Sequence, residues 1–485
     1  MKVIIHSAIL VAFLANPYKT IEAHNINIPK IGDTSSRFMS IAQENKLGGI
    51  IYSQILGSFN LINDPLITSY IQMLGNRLLI SDYNSPIKYR FLVANNPSIN
   101  AFATPGGVIV VNSGLIRKTK TEAELASVLA HEIAHVKARH LSRMHEESSK
   151  VNISTALSVL ATVIAGTYST DALGKTLITT ENIKASRLTD FIRANEMEAD
   201  RIAINILVNA NINPMAMSDF FRTLQKENND SGALEFLRTH PLTKNRIAET
   251  ESLASKYKGN FTNDSFAYQF TSAKISIQRL DTKNFVSQYL YRPEITKTSP
   301  SKIVDDYAYG LALIKEKKYD KSKKVLNNLL KILSDKNELY IIKNYISIAL
   351  AEIYIKKNDF EQAVTLLESL NDIYPTDPTI LYYLSSSYIK DKQYKKVINK
   401  LIPYVIEHKD HRLMLKISEA GYKLKEQSLG HEYRGDYLKM LGSFTSAIKY
   451  YRLALQYNMK GKTIDMRITS KINEIKNLQK NKEIL

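Results

Sequence analysis

No cysteine occurs in the 485 residues, which excludes a disulfide framework, a thiol nucleophile, a thiolate metal ligand and a lipidated N-terminal cysteine. Any metal must be held by imidazoles and carboxylates. No apolar run reaches the ~20 residues that span a bilayer as a helix. A composition of 44% hydrophobic and 23% charged residues fits neither a disordered chain nor a multi-span membrane protein. Acidic residues are the scarcer charge, 47 against 65 lysines and arginines, for a net +18. Residues 301–485 hold 33 basic and 22 acidic side chains. Basic surfaces favour anionic partners, but a lysine-, asparagine- and isoleucine-rich composition yields such a charge without any ligand. No nucleic-acid-binding motif accompanies it, so nucleic acid is not expected as a partner.

The chain opens with Lys2, an apolar run from Val3 to Ala15 and a cleavage context at Ala23. This reads as a signal peptide over 1–23, with an uncleaved anchor as the alternative. An exported chain without disulfides fits the periplasm of a bacterium better than a small secreted animal domain, which usually needs cross-links. A chain of this length exceeds what one hydrophobic core serves, so two or more domains are expected. Residues 31–256 mix helical patterns with one β-like run. Residues 257–304, polar and containing Pro293 and Pro300, read as a linker; 305–460 are helical with a repeat, and 461–485 form a basic tail. The expected fold class is mainly α: an α+β domain, mostly helical with a small sheet, followed by an α-solenoid.

The repeat emerges when aromatics are aligned. Phe360 and Tyr394 lie 34 residues apart, each six after a tyrosine, Tyr354 and Tyr388, which is the tetratricopeptide period. Ala351, Ala363 and Pro375 around Phe360, and Gly435, Ala447 and Ala454 around Phe444, take the positions where paired helices need small residues or a stop. Gly310 with Tyr319 begins a weaker first copy. Such a solenoid is a concave docking surface, so chemistry must be sought upstream.

The stretch Lys120 to Arg143 has no Gly or Pro and places Leu125, Val128, Leu129, Ile133, Ala134 and Val136 with helical periodicity. Thr121 followed by Glu124 resembles a capping box. Within this helix His131 and His135 stand at i and i+4, on one face, able to present imidazole nitrogens to a single Zn²⁺. Glu132 lies further round, placed for a general base rather than a ligand. A second helical run, from about Ser186 to Ala210, carries Glu196 and Asp200 on one face. Glu196 can complete the metal set and Asp200 can accept a hydrogen bond from a ligand imidazole. Two histidines and one glutamate leave the fourth position open, the arrangement of a catalytic rather than a structural zinc, with one ion per chain.

Glu196 lies 61 positions beyond His135, so an excursion intervenes. Its apolar part, 153–166, is too short to span a membrane and reads as a packed hairpin or a membrane contact. His140 and His145 read as solvated or as supporting a ligand. His240, before Pro241, can serve as oxyanion donor, fourth ligand or plain loop histidine. Asn100 to Asn112 reads as a Gly-Gly turn followed by a β-branched strand, either an exposed strand that pairs with an extended peptide or a buried one.

Together, His131-Glu-Ile-Ala-His135, Glu196-x-x-x-Asp200, Asn100-Ala-Phe-Ala-x-Pro-Gly-Gly107 and Thr239-His-Pro241 with Arg246 resemble the zinc peptidases related to HtpX and the CAAX prenyl protease, in order and spacing. The similarity is strongest to members with a leader and C-terminal tetratricopeptide repeats, and covers nearly the whole chain. It implies a zinc metalloendopeptidase that handles unfolded or misassembled envelope proteins, in quality control and assembly of outer-membrane β-barrels, with the repeats docking on the outer-membrane assembly machinery. It further implies a metal-proximal role for His240 and a peripheral membrane contact through 153–185. Ser322 and Val397 depart from the repeat pattern, which has alanine there. The competing reading is an assembly chaperone or scaffold whose zinc site is gated or vestigial.

Overall fold

The structure, a computed structural model, describes residues 39–147, 182–226, 231–289, 300–333, 340–459 and 461–480. The segment read as a signal peptide and the excursion from 148 through 181 lie outside the described residues. Helix α1 (Ile41–Ser58) starts at a reciprocal cap: Ser40 Oγ accepts from the Gln43 N–H (3.3 Å) and Gln43 Oε1 accepts from the Ser40 N–H (2.8 Å). Helix α2 (Pro65–Leu78) has Asp64 as its cap and proline in its first turn. A three-stranded sheet follows, from β1 (Arg90–Ala94), β2 (Ala101–Ala103) and β3 (Val108–Asn112). Its order is β1-β3-β2, with β3 parallel to β1 and antiparallel to β2.

The β-branched run at 108–112 is therefore the central strand, buried along its length, and the sheet's edge beside it is the short strand before the Gly-Gly turn. Strand periodicity explains the double burial. Ile109 and Val111 face the main core with Leu74, Leu125, Leu129 and Leu207. Val108 and Val110 face the other way, under Leu47, Ile51 and Ile55 of α1. The β2–β3 turn carries Gly106 and Gly107 at φ +76° and +82°, and it lies backbone to backbone on α1. A Cβ on Gly48 would meet Gly106 O at 2.5 Å, whereas one on the adjacent Gly49 would meet nothing within 4 Å. Gly48→Ala is expected to cost about 1–3 kcal/mol through overpacking. Gly49→Ala, in the same helix, should be neutral or stabilise by up to ~1 kcal/mol. Urea denaturation of the two variants tests this, and equal midpoints would refute the close contact.

Helices α3 (Ser113–Lys118) and α4 (Glu122–Lys137) follow. The helical run expected through Arg143 breaks, because Arg139 takes φ 56° and the chain restarts as α5 (His140–Glu147). Helix α6 (Asn182–Asn209) packs along α4, and α7 (Ala216–Lys226), α8 (Ser231–Thr239) and α9 (Lys244–Ala254) close the domain. Within 257–304 the described residues hold two whole helices, α10 (Phe266–Arg279) and α11 (Thr282–Tyr289), and the start of the next at Pro300. The polar composition there conceals inward residues at helical spacing: Phe270 stacks on Tyr307 with ring centroids 4.2 Å apart.

The remaining chain is a series of antiparallel helix pairs: α12 (Pro300–Lys315) with α13 (Tyr319–Leu333), α14 (Tyr340–Lys356) with α15 (Phe360–Ile373), α16 (Pro378–Lys390) with α17 (Tyr394–His408), α18 (His411–Lys423) with α19 (Gln427–Met440), and α20 (Phe444–Gln456) with α21 (Lys462–Lys480). The last of these lies in the segment read as a basic tail. Lys317, Asn358, Lys392 and Lys425 reverse the chain within four of the pairs, each at positive φ. The small residues sit where helices touch: a Cβ on Gly435 would fall 2.5 Å from the Tyr451 ring. Ser322 has its own reason, since its buried hydroxyl donates to Gly310 O at 2.7 Å.

These helices lie against the first domain. Lys274 of α10 is buried with Nζ 3.0 Å from Asp64 Oδ2 and 3.2 Å from Glu352 Oε1. Arg412 donates to Thr68 Oγ1 at 2.7 Å, and the Ser69 and Thr379 hydroxyls are 3.0 Å apart. Among the described residues no helix is long and apolar enough to cross a membrane.

Candidate metal centre

Helix α4 begins at Thr121, whose Oγ1 accepts from the Glu124 N–H at 3.3 Å, while Glu124 Oε2 accepts from the Lys120 N–H at 2.6 Å rather than from Thr121. Half of the expected box forms, and it satisfies one orphan donor of the helix, the Glu124 N–H. Further along, the i, i+4 spacing sets His131 and His135 side by side facing α6, with their Nε2 atoms 2.9 Å apart. Glu196 on α6 brings Oε2 to 3.3 Å from His131 Nε2 and Oε1 to 3.4 Å from His135 Nε2. Past the end of α8, His240 directs Nδ1 to 3.3 Å from His131 Nε2 and to 3.3 Å from both Glu196 oxygens. One ligand atom from each of the four side chains lies within 4.8 Å of the others.

The cluster is buried, and His135 is its most exposed member, with 14% of its side chain exposed. Electrostatics in it are extreme. Burial pulls His131 down, but the Asp200 and Glu196 carboxylates outweigh it and raise His131 to about 10. Burial alone dominates at His135, pushed down to about 3. Burial opposes ionisation of Glu196, yet the surrounding histidines hold its carboxyl well below the usual range. Imidazole nitrogens facing one another at 2.9 Å cannot both carry a proton in the gap. Their lone pairs and the carboxylate converge as ligands for one cation, and a set of nitrogens with one oxygen suits zinc.

Supporting groups surround these four. Asp200 Oδ1 lies 2.9 Å from His131 Nδ1, as the shared face of Glu196 and Asp200 predicts. Behind both carboxylates sits Arg246, 3% exposed. It donates from Nε to Asp200 Oδ2 (2.7 Å) and from Nη2 to Oδ1 (2.8 Å), and its Nη1 lies 2.9 Å from Glu196 Oε2. Nothing in local spacing assigned Arg246 that place, 46 residues beyond Asp200. Glu132, beside the cluster, is buried. Its Oε1 makes no hydrogen bond and stands 3.3 Å from His240 Nε2. Burial pushes the Glu132 carboxyl up, and the Ala103 backbone of β2 hydrogen-bonds it. Edge strand β2 thus ends at the candidate base. Asn100 before β2 is tied to α8, donating to Glu235 Oε1 at 3.3 Å and accepting from the Thr239 hydroxyl at 3.4 Å.

A two-histidine helix, a glutamate from a second helix, a buried glutamate and a sheet edge beside them suit a metallopeptidase domain. Residues 65–254 match Peptidase family M48. Over 455 residues it is 29% identical to the β-barrel assembly-enhancing protease of Yersinia pestis, covering 93% of this chain and 92% of the relative. It is 28% identical over 456 residues to the protein of that name from Escherichia coli (strain K12), with the same coverage. A shorter match, 31% over 185 residues, joins 38% of this chain to 52% of the mitochondrial metalloendopeptidase OMA1 of Schizosaccharomyces pombe.

Proposed function

We propose that the protein is a zinc endopeptidase of the bacterial periplasm that acts on unfolded or misassembled outer-membrane β-barrel proteins, with its helical repeats, read as tetratricopeptide repeats, docking on the assembly machinery. The observation that carries the peptidase reading is the convergence of His131, His135, Glu196 and His240 on one point with the Glu132 carboxylate beside it. The target class is supported by the names of the full-length relatives. His131, His135 and Glu196 would hold one zinc ion per chain, with His240 placed to supply a fourth ligand at rest. Bound there, zinc supplies Lewis acidity at the scissile carbonyl and lowers the pKa of water.

The chain's own residues do the rest. Glu132 Oε1, free of hydrogen bonds and raised by burial, accepts the proton of the attacking water and returns it to the leaving amine. Asp200 and Arg246 hold His131 and Glu196 in place. Edge strand β2 offers main-chain groups to an extended substrate. At its observed place His240 Nδ1, 3.3 Å from His131 Nε2 and from Glu196, would fill the position a catalytic metal keeps open, so substrate entry would require the ring to swing away. Its ring then serves the developing oxyanion as a donor.

The purified chain is expected to contain one zinc per molecule by elemental analysis and to cleave an unfolded protein such as casein. Chelation should abolish cleavage and lower the thermal midpoint, since an ion bound only by the folded state stabilises it. Full activity in metal-free protein would end the zinc reading. The closed four-residue set also favours a second reading, a chaperone or scaffold with a gated site. Stoichiometric zinc with no cleavage by either wild type or His240→Ala would select it.

A further inference from the structure

His135 presents its two ring nitrogens to different surroundings. Nε2 faces the cluster, whereas Nδ1 points away from it and lies 2.8 Å from Nδ1 of His140. His140 is buried, 2% exposed, and its Nε2 lies 3.2 Å from Glu198 Oε2. That same oxygen accepts from Arg143 Nη2 at 2.6 Å. The arrangement depends on the break after α4. In a continuous helix a residue five positions on would point roughly 140° away. Arg139, at φ 56° and tied to Glu44 by Nε (3.0 Å) and Nη2 (2.9 Å), turns the chain so that His140 comes back onto His135.

The row has one consistent assignment of protons. A histidine that ligates through Nε2 must carry its proton on Nδ1, so His135 donates and His140 Nδ1 accepts. Neutral His140 then carries its proton on Nε2, where Glu198, an acceptor only, receives it. Arg143 fixes the carboxylate at the same oxygen. With His140 neutral the opposite assignment fails: with the proton on Nε2 of His135, His140 would have to donate from Nδ1 and would turn a bare nitrogen toward the Glu198 carboxylate. We propose that His140, backed by Glu198 and Arg143, is a positioning residue that locks His135 in the Nδ1–H tautomer and so sets the affinity of the centre for zinc. This rests on the zinc reading given above.

The test is zinc affinity of the full chain, by competition with a chromophoric chelator, together with the visible spectrum of the cobalt(II)-substituted protein. Loss of a group that supports a metal ligand in this way typically weakens binding 10–100-fold. His140→Ala is expected to show that loss and a changed cobalt spectrum, and His140→Asn, which restores an acceptor beside Nδ1, to recover most of the affinity. Glu198→Ala, which removes the acceptor at a partly exposed side chain, keeps the proposal testable if His140→Ala does not fold, and should weaken zinc in the same direction. Wild-type affinity and spectrum in folded His140→Ala, or in Glu198→Ala, would overturn it. A loss of urea stability in the metal-free protein with unchanged zinc affinity would do the same, marking His140 as structural only. Failure of the wild type to bind zinc would instead refute the underlying zinc reading.

Discussion

Glu132→Gln should keep its zinc and lose its activity, with kcat/KM for an unfolded protein falling about 10²–10⁴-fold, the usual contribution of a general base. The substitution is nearly isosteric, and the amide oxygen retains an acceptor for the Ala103 backbone that hydrogen-bonds the carboxylate. What disappears is proton affinity at Oε1, the buried oxygen without a hydrogen bond beside His240. The four converging ligand atoms are untouched, so zinc content should stay at one per chain. Burial already disfavours the charged form of Glu132, so the neutral variant should be no less stable than wild type. Parallel zinc analysis and casein cleavage decide the matter: wild-type rates in the variant would remove Glu132 as the base.

Arg246→Met is expected to have the largest effect on stability, about 3–5 kcal/mol, because it leaves two buried carboxylates without their cation. The guanidinium serves both oxygens of Asp200 and one of Glu196, and also donates to Pro241 O at 2.9 Å. Phe221 covers it, with the guanidinium carbon 5.2 Å from the ring centroid. Burial opposes ionisation of Asp200, but Arg246 and His131 hold its carboxyl below the usual range. A depressed carboxyl contributes stability that is present above its unfolded pKa and lost as pH falls through its folded one. The wild-type contribution is therefore whole at neutral pH and disappears only in acid. In Arg246→Met that acid-sensitive contribution should shrink, and Asp200→Asn added to it should recover part of the lost stability, as expected for residues in one network. Urea denaturation across pH measures both, and additive effects of the two substitutions would refute the coupling.

The candidate site was legible in the sequence to the extent that it is helical. His131 with His135, and Glu196 with Asp200, are four apart, and a helix turns that spacing into a shared face whatever it packs against. Glu132, adjacent in sequence, is set off that face for the same reason. The β-branched run at 108–112 showed that a strand was there, but not that it would be the central one, because exposure belongs to the neighbours a strand acquires. The helices at 266–279 and 282–289 were hidden by their polar surface residues, which dominate composition while the inward residues do the packing.

Sequence alone determined what depends on period and on local backbone preference: the two ligand-bearing faces, the Gly-Gly reversal and the spacing of the paired helices. Only the tertiary structure decided what depends on contacts between distant segments. It brought His240 to within 3.3 Å of His131 across 109 residues, buried Arg246 behind both carboxylates, and turned His140 back onto His135 through one residue at positive φ. The physical reason is that helical spacing fixes direction over a few turns, whereas the meeting of separate elements is set by how their apolar faces pack. No pattern within one element encodes which polar group from another will arrive beside it.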